Sequence, residues 1–283
     1  HYRFGIRPQR FPMDQNSPMP TRVGPIIGVW IALIGTQLLG SAPASAFGPM
    51  GHAIVGEIAT PLLCESALVR FAAVSGERDL ATAGLWADRI RDLPEWRHTL
   101  RWHYVDIGDD AALVERQLPP GGDLLTALSR SYDLLRRNDR KPVEQREALL
   151  LLIHLVADLH QPLHVGRPGD YGGNSIALFY RGTSTNLHRL WDGELLQATP
   201  VTAAEYAWAL APLRGFLAQQ GGVLDFLSWA EESRALRRQV YAATSSRPVS
   251  RRYELMARTI LHRRLAQAGA RLAGLLNELY CRQ

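Results

Sequence analysis

The sequence predicts an all-α protein, one compact multi-helix domain with a short β-hairpin. Three observations carry this. Most of the chain after residue 46 repeats apolar residues at helical spacing. One segment, Leu149–Val156, is apolar at almost every position, as a central helix buried on most sides must be. No long linker and no internal repeat divides residues 47–283. At 283 residues, 46% apolar and 21% charged, the chain can bury a core without staples. That composition excludes a disordered chain, a collagen and a disulfide-dense mini-scaffold.

Taken in order, helical spacing covers Gly51–Leu63, Leu80–Ile90, Leu124–Arg137, Val143–His160, Asn186–Gln197, Ala203–Ala218, Val223–Ala243 and Arg252–Leu279. Pro162 stops the central helix, so His164 stands on a turn. Gly172-Gly173-Asn174 opens a strand over Ser175–Arg181.

Residues 1–46 read as an N-terminal extension and a cleaved signal peptide. An apolar run from Val23 to Leu39 comes after Arg22 and leads into Ser41-Ala42-Pro43-Ala44-Ser45-Ala46. Ala44 and Ala46 satisfy the small-x-small cleavage rule. Met13 or Met19 fits a start of translation. The competing reading is a membrane anchor, for which the Gly- and Pro-containing run is marginal in length. Cleavage before Phe47 predicts a secreted or periplasmic protein without stable membrane association. Residues 1–46 hold Arg3, Arg7, Arg10 and Arg22 against Asp14, or +3 of the net +5. The remaining +2 gives no reason to read the basic pI as a nucleic-acid footprint. Export permits a Cys64–Cys281 disulfide; two buried thiols are the alternative. Two cysteines cannot build a zinc ribbon.

Histidines and aspartates carry the chemistry. His154 and Asp158 stand at i,i+4 inside the most apolar helix, and His188 and Asp192 repeat that spacing. His164 comes two residues after Pro162. Asp88, His103 and His52 add donors upstream. Imidazole and carboxylate together suit zinc, and a metal is a reason to bury charge that otherwise costs several kcal/mol. A lone His-x-x-x-Asp is usually an ordinary hydrogen bond; two pairs, one in a core helix, are not so readily dismissed. The Glu-x-x-His spacing of di-iron bundles is absent.

The ordered set resembles the secreted trinuclear-zinc nucleases, the single-strand-specific nuclease/3′-nucleotidase family of the S-one/P-one type. The resemblance spans essentially all of 47–283. It rests on Phe47-Gly48-x-x-Gly51-His52, Trp86-Ala87-Asp88 and His103-Tyr104-Val105-Asp106. It continues in His154-x-x-x-Asp158-x-x-Gln161-Pro162-Leu163-His164, Gly172-Gly173-Asn174 and Asn186-Leu187-His188-x-x-x-Asp192. It implies the helical phospholipase C/zinc nuclease fold and three zinc ions. Asp88, His103, His154 and Asp158 would hold the first. His164, His188 and Asp192 would hold the second. His52, Asp158 and the amino and carbonyl groups of Phe47 would hold the third; the family usually starts with Trp there.

The implied reaction is hydrolysis by metal-bound hydroxide, of single-stranded DNA and RNA to 5′-phosphates, and also of 3′-nucleotides. The implied catalytic residues are Asp88, Asp158 and Arg91, the last as a phosphate clamp; a solvated surface arginine is its plain alternative. Tyr104 would stack a base, unless it is a core aromatic, and Asp106 would bind the base edge. Asn174 would orient substrate or a ligand. His160 has no metal role, and His98 and His262 read as surface residues. No protein partner is implied. A zinc-dependent phospholipase C is the nearest rival enzyme, but its ligand series typically ends His-x-x-x-Glu, against His188-x-x-x-Asp192 here. A noncatalytic zinc protein would instead close its metal positions against water.

Overall fold

The computed structural model describes residues 47–137, 139–213, 225–243 and 248–281. The segment expected to be an N-terminal extension and signal peptide, residues 1–46, therefore lies outside the described residues. No helix among the described residues is long and apolar enough to cross a membrane.

Helix α1 (Gly48–Ala59) begins with Pro49 in its first turn, where a missing N–H costs nothing. Helix α2 (Glu65–Ser75) is not predicted by the spacing, because only the narrow stripe Ala67, Phe71 and Ser75 is buried. The predicted Leu80–Ile90 helix is broken into α3 (Leu80–Ala83) and α4 (Trp86–Ile90), with the interruption at Gly84-Leu85. A 3-10 segment, Pro94–His103, is likewise additional to the predicted elements. Helix α5 (Leu124–Arg137) is capped by Asp123, whose Oδ1 accepts from the Thr126 N–H at 2.9 Å.

Helix α6 (Pro142–His160) is the predicted central helix, and every residue from Ala148 to His160 is buried. It packs against α1, α2, α5, α10 (Phe226–Ala235) and the 30-residue α12 (Arg251–Tyr280). The predicted Ala203–Ala218 helix appears as α9 (Ala203–Ala209) and, after a turn at Leu210, the helical residues 211–213; residues 214–218 of that prediction lie outside the described residues. The predicted Val223–Ala243 helix appears as α10 and α11 (Arg237–Val240), separated at Leu236. The close crossing of α1 with α3 explains Gly56: a Cβ there would run into the Ala81 backbone. Gly269 likewise admits Ile58 where α12 crosses α1.

Two small sheets complete the fold. Strands β1 (Val105–Asp106) and β2 (Val165–Gly166) pair in parallel, with Asp106 opposite Gly166. Strands β3 (Ala177–Tyr180) and β4 (Thr183–Asn186) form the predicted hairpin. Its turn residues Arg181 and Gly182 have φ of 50° and 82°, the two positive values that a tight two-residue hairpin favours.

Cys64 and Cys281 form a disulfide across 217 residues of sequence, joining the start of α2 to the end of α12. Closing so long a loop restricts the unfolded chain most strongly. We expect the Cys64→Ser, Cys281→Ser double variant to lose about 2–5 kcal/mol of stability. Thermal unfolding should show a lower Tm, and dithiothreitol should move the parent toward it while leaving the variant where it is.

Candidate metal centre

Each ligand candidate is delivered by a different local device. His52 stands in the second turn of α1 and Asp88 on α4. His103 ends the 3-10 segment that feeds β1. His154 and Asp158 occupy one face of α6, one turn apart. His164 lies in the 3-10 turn that Pro162 forces. His188 sits on α7 (Leu187–Arg189), capped by Asn186, and Asp192 on the π-helical turn Leu190–Glu194 before α8 (Leu195–Gln197). Such wide turns recur at functional sites.

The fold brings these residues together in three groups: His52, His154 and Asp158; Asp88, His103 and His154; and His164, His188 and Asp192. Asp158 stands between the first two. Its Oδ1 lies 3.2 Å from His52 Nε2, and its Oδ2 lies 3.0 Å from His103 Nδ1 and 3.2 Å from His154 Nε2. His52 and His154 stack with ring centroids 3.9 Å apart. In the third group His188 Nε2 lies 2.9 Å from Asp192 Oδ2.

The donor chemistry fits metal. Both ring nitrogens of His52, Nε2 of His103, His164 and His188, and Oδ1 of Asp158 are buried without a well-formed hydrogen bond. Buried polar atoms without partners are uncommon because each costs free energy, and here they converge. Backbone carbonyls set the tautomers. His154 Nδ1 donates to Gly84 O at 2.6 Å, His164 Nδ1 to His103 O at 2.5 Å, and His188 Nδ1 to Gly172 O at 2.8 Å. Each leaves a lone pair on Nε2 as the ligating atom.

Electrostatics agree. Burial opposes a charge on His154, but Asp158 and Asp88 outweigh it and hold its pKa up at about 9. Burial would raise Asp158, yet the surrounding imidazoles hold it well below the usual carboxylate range. Burial pushes His52 and His164 down. Charge is thus available on the carboxylates and neutral lone pairs on His52 and His164, while the carboxylates draw positive charge onto His154 and His188.

Several residues acquire roles that sequence reasoning left unassigned. Gln161 donates from Nε2 to Asp192 Oδ1 at 2.7 Å and accepts from the Leu163 N–H at 2.6 Å, linking the end of α6 to the third group. His160 is buried on the far side of α6: its Nδ1 donates to Val156 O, and Arg271 lies 2.9 Å from its Nε2. Arg264, also buried, donates to His160 O at 3.0 Å and to Ser233 Oγ at 2.6 Å, while Ser233 donates to Leu159 O. This network anchors the helix end that carries Asp158. His262 is half-buried against Tyr206 rather than on the surface, its Nε2 lying 2.7 Å from the phenol oxygen, whereas His98 is exposed as expected.

Arg91 is buried and lies 2.9 Å from Asp88 Oδ1, so it is not a solvated surface arginine. Tyr104 is half-buried and lines, with Asp106 and Arg101, a cleft of about 340 Å³. Burial raises the pKa of both Tyr104 and Asp106. Phe47 is fully buried at the head of α1, where its ring occupies the space a Gly51 side chain would need. Gly48, at φ 54°, passes so close to the Asp192 carbonyl that a Cβ would lie 2.6 Å from it. Asn174 is half-buried and donates from Nδ2 to Tyr171 O at 2.8 Å, holding its own loop.

A helical domain with buried, interlocked His/Asp groups has the donor set of a metal-dependent hydrolase. The S1/P1 nuclease family model matches residues 47–281, and the chain belongs to that family. It is similar to "Endonuclease 3" of Arabidopsis thaliana, 30% identical over 89% of this chain and 95% of the relative. "Endonuclease 4" of the same plant is 29% identical over the same shares. "Nuclease S1" of Aspergillus oryzae is 27% identical over 52% of this chain and 53% of its own. The protein is therefore a phosphodiester hydrolase with endonuclease function, of a metal-dependent family whose substrate is nucleic acid.

Proposed function

We propose that this protein is an exported zinc-dependent endonuclease that hydrolyses single-stranded DNA and RNA to 5′-phosphate products, and 3′-nucleotides to nucleosides and phosphate. The observation that carries the proposal is Asp158, whose two oxygens face separate imidazole sets. One carboxylate between two clusters is the arrangement of a shared metal ligand. Asp88, His103, His154 and Asp158 would hold one zinc. His164, His188 and Asp192 would hold a second. His52, Asp158 and the amino and carbonyl groups of Phe47 would hold the third. Zinc, when bound, supplies Lewis-acid charge and makes water nucleophilic near neutral pH.

The chain's own groups do the rest. Arg91, oriented by Asp88, offers N–H donors to a phosphate oxygen. Tyr104, the residue after His103, gives a base a face to stack on, and Asp106 accepts from its edge, in the cleft both line with Arg101. A duplex hides base faces, so stacking of this kind favours single strands. Asn174 holds the loop beside His188 and so keeps the substrate side of the third group in shape. Water adds to phosphorus, the P–O3′ bond breaks, and the 3′-oxygen leaves with a proton.

The test is product analysis. Zinc-loaded protein incubated with single-stranded DNA should release 5′-mononucleotides, resolved by chromatography, and release them more slowly from duplex. Intact single strands from folded, zinc-loaded protein would overturn the reading. Removal of metal with a chelator should abolish turnover and lower Tm, since a ligand that binds only the native state stabilises it by mass action. Readdition of zinc should restore both.

A further inference from the structure

Gln161 sits midway between two ligand candidates, three residues after Asp158 and three before His164. It is fully buried, and a buried amide is costly unless both of its ends are paired. Both are: Oε1 accepts from the Leu163 N–H at 2.6 Å, and Nε2 donates to Asp192 Oδ1 at 2.7 Å. The orientation is dictated by the partners. A backbone N–H only donates and a carboxylate only accepts, so the amide oxygen must face Leu163 and the amide nitrogen Asp192. The main chain adds two contacts. The Gln161 N–H donates to Asp158 O at 3.0 Å, and Gln161 O accepts from the His164 N–H at 2.9 Å. One residue thus touches Asp158, His164 and Asp192.

These contacts do different work. The main-chain pair closes the end of α6 and opens the 3-10 turn, and most side chains at this position would permit it. The bond from Leu163 fixes the turn that carries His164. The bond to Asp192 contributes nothing to the helix end. It occupies Oδ1 and so leaves Oδ2, which lies 2.9 Å from His188 Nε2, as the oxygen turned toward the imidazoles. A carboxylate pinned through one oxygen cannot rotate to exchange it for the other. Two of the three donors of the group His164–His188–Asp192 are therefore set by one side chain.

We propose that Gln161 is a positioning residue for this group: it commits Asp192 to ligate through Oδ2 alone and holds the turn that presents His164. This deepens the zinc nuclease reading and rests on it. Removing an outer partner of this kind typically costs 10–100-fold in metal affinity or activity.

The experiment titrates the exported protein, stripped of metal, with zinc alone. Bound zinc is counted by plasma emission, and affinities come from competition with a chromophoric chelator. Gln161→Glu keeps the size of the side chain and the acceptor for the Leu163 N–H, but sets a second carboxylate against Asp192 where a donor stood. It should hold all but one of the parent's zinc ions at parent affinity, and that one about 10–100-fold more weakly. Gln161→Leu removes the donor without adding charge and should weaken the same single ion. Raising free zinc should refill the site in both variants and recover most of kcat/KM, because every ligand atom is still present; a damaged fold would not respond in this way. The Cys64→Ser, Cys281→Ser double variant, less stable but unaltered at this group, should keep every ion at parent affinity, which separates lost stability from lost positioning. Parent affinity for every ion in Gln161→Glu, or equal weakening of all of them, overturns the inference and leaves the nuclease reading intact. A folded, zinc-loaded parent that leaves single strands uncut overturns the nuclease reading itself.

Discussion

Replacing Asp158 by Asn is expected to lower kcat/KM at least about a thousandfold, equivalent to roughly 4 kcal/mol of transition-state stabilisation. The amide is nearly the same size, so the packing of α6 survives. What changes is the donor set. A carboxylate can present one anionic oxygen to His52 and the other to His103 and His154; an amide has one neutral oxygen and an N–H group that no metal accepts. Zinc content measured by plasma emission should fall by two of the proposed three ions, whereas loss of one ligand from an independent site would remove one. Far-ultraviolet circular dichroism should match the parent. Full turnover in Asp158→Asn, or an unchanged zinc content, would contradict the shared-ligand arrangement.

The second large effect concerns the N-terminus. Residues upstream of Phe47 should suppress activity, by about a hundredfold or more, because an amide nitrogen has no lone pair to offer a metal whereas a free α-amine does. Metal binding displaces the proton of an α-amine, so the processed form can ligate near neutral pH. The neighbourhood is built for close approach: Phe47 is buried, its carbonyl accepts from the Gly51 N–H at 3.1 Å, and Gly48 passes against Asp192. Purified unprocessed and processed forms should differ both in specific activity and in zinc per chain. Equal values for the two would remove Phe47 from the ligand set.

Much of the site is legible in the sequence alone. The i,i+4 pairs His154/Asp158 and His188/Asp192 are local, and helical geometry places each pair on one face. The apolar run Leu149–Val156 marks the central helix for the same reason. The break in Leu80–Ile90 is not legible, because leucine, alanine and tryptophan continue the helical pattern on both sides of Gly84. Its consequence is functional, since the interruption leaves the Gly84 carbonyl to orient His154. Helix α2 is equally hidden, because three buried positions make too narrow a stripe for a periodicity.

The sequence by itself determined which side chains can ligate, in what order they come, and that a core helix carries two of them. Periodicity and residue type are local properties, and those conclusions need nothing more. The tertiary structure alone decided the partnerships. It set His52 and His103 on opposite oxygens of Asp158, closed Cys64 on Cys281, and buried Arg91 beside Asp88. It also chose the carbonyls that fix the imidazoles, such as Gly84 for His154, 70 residues away. A carbonyl is present at every position of the chain, so no residue type announces which one will be used; that choice is made only when distant segments pack.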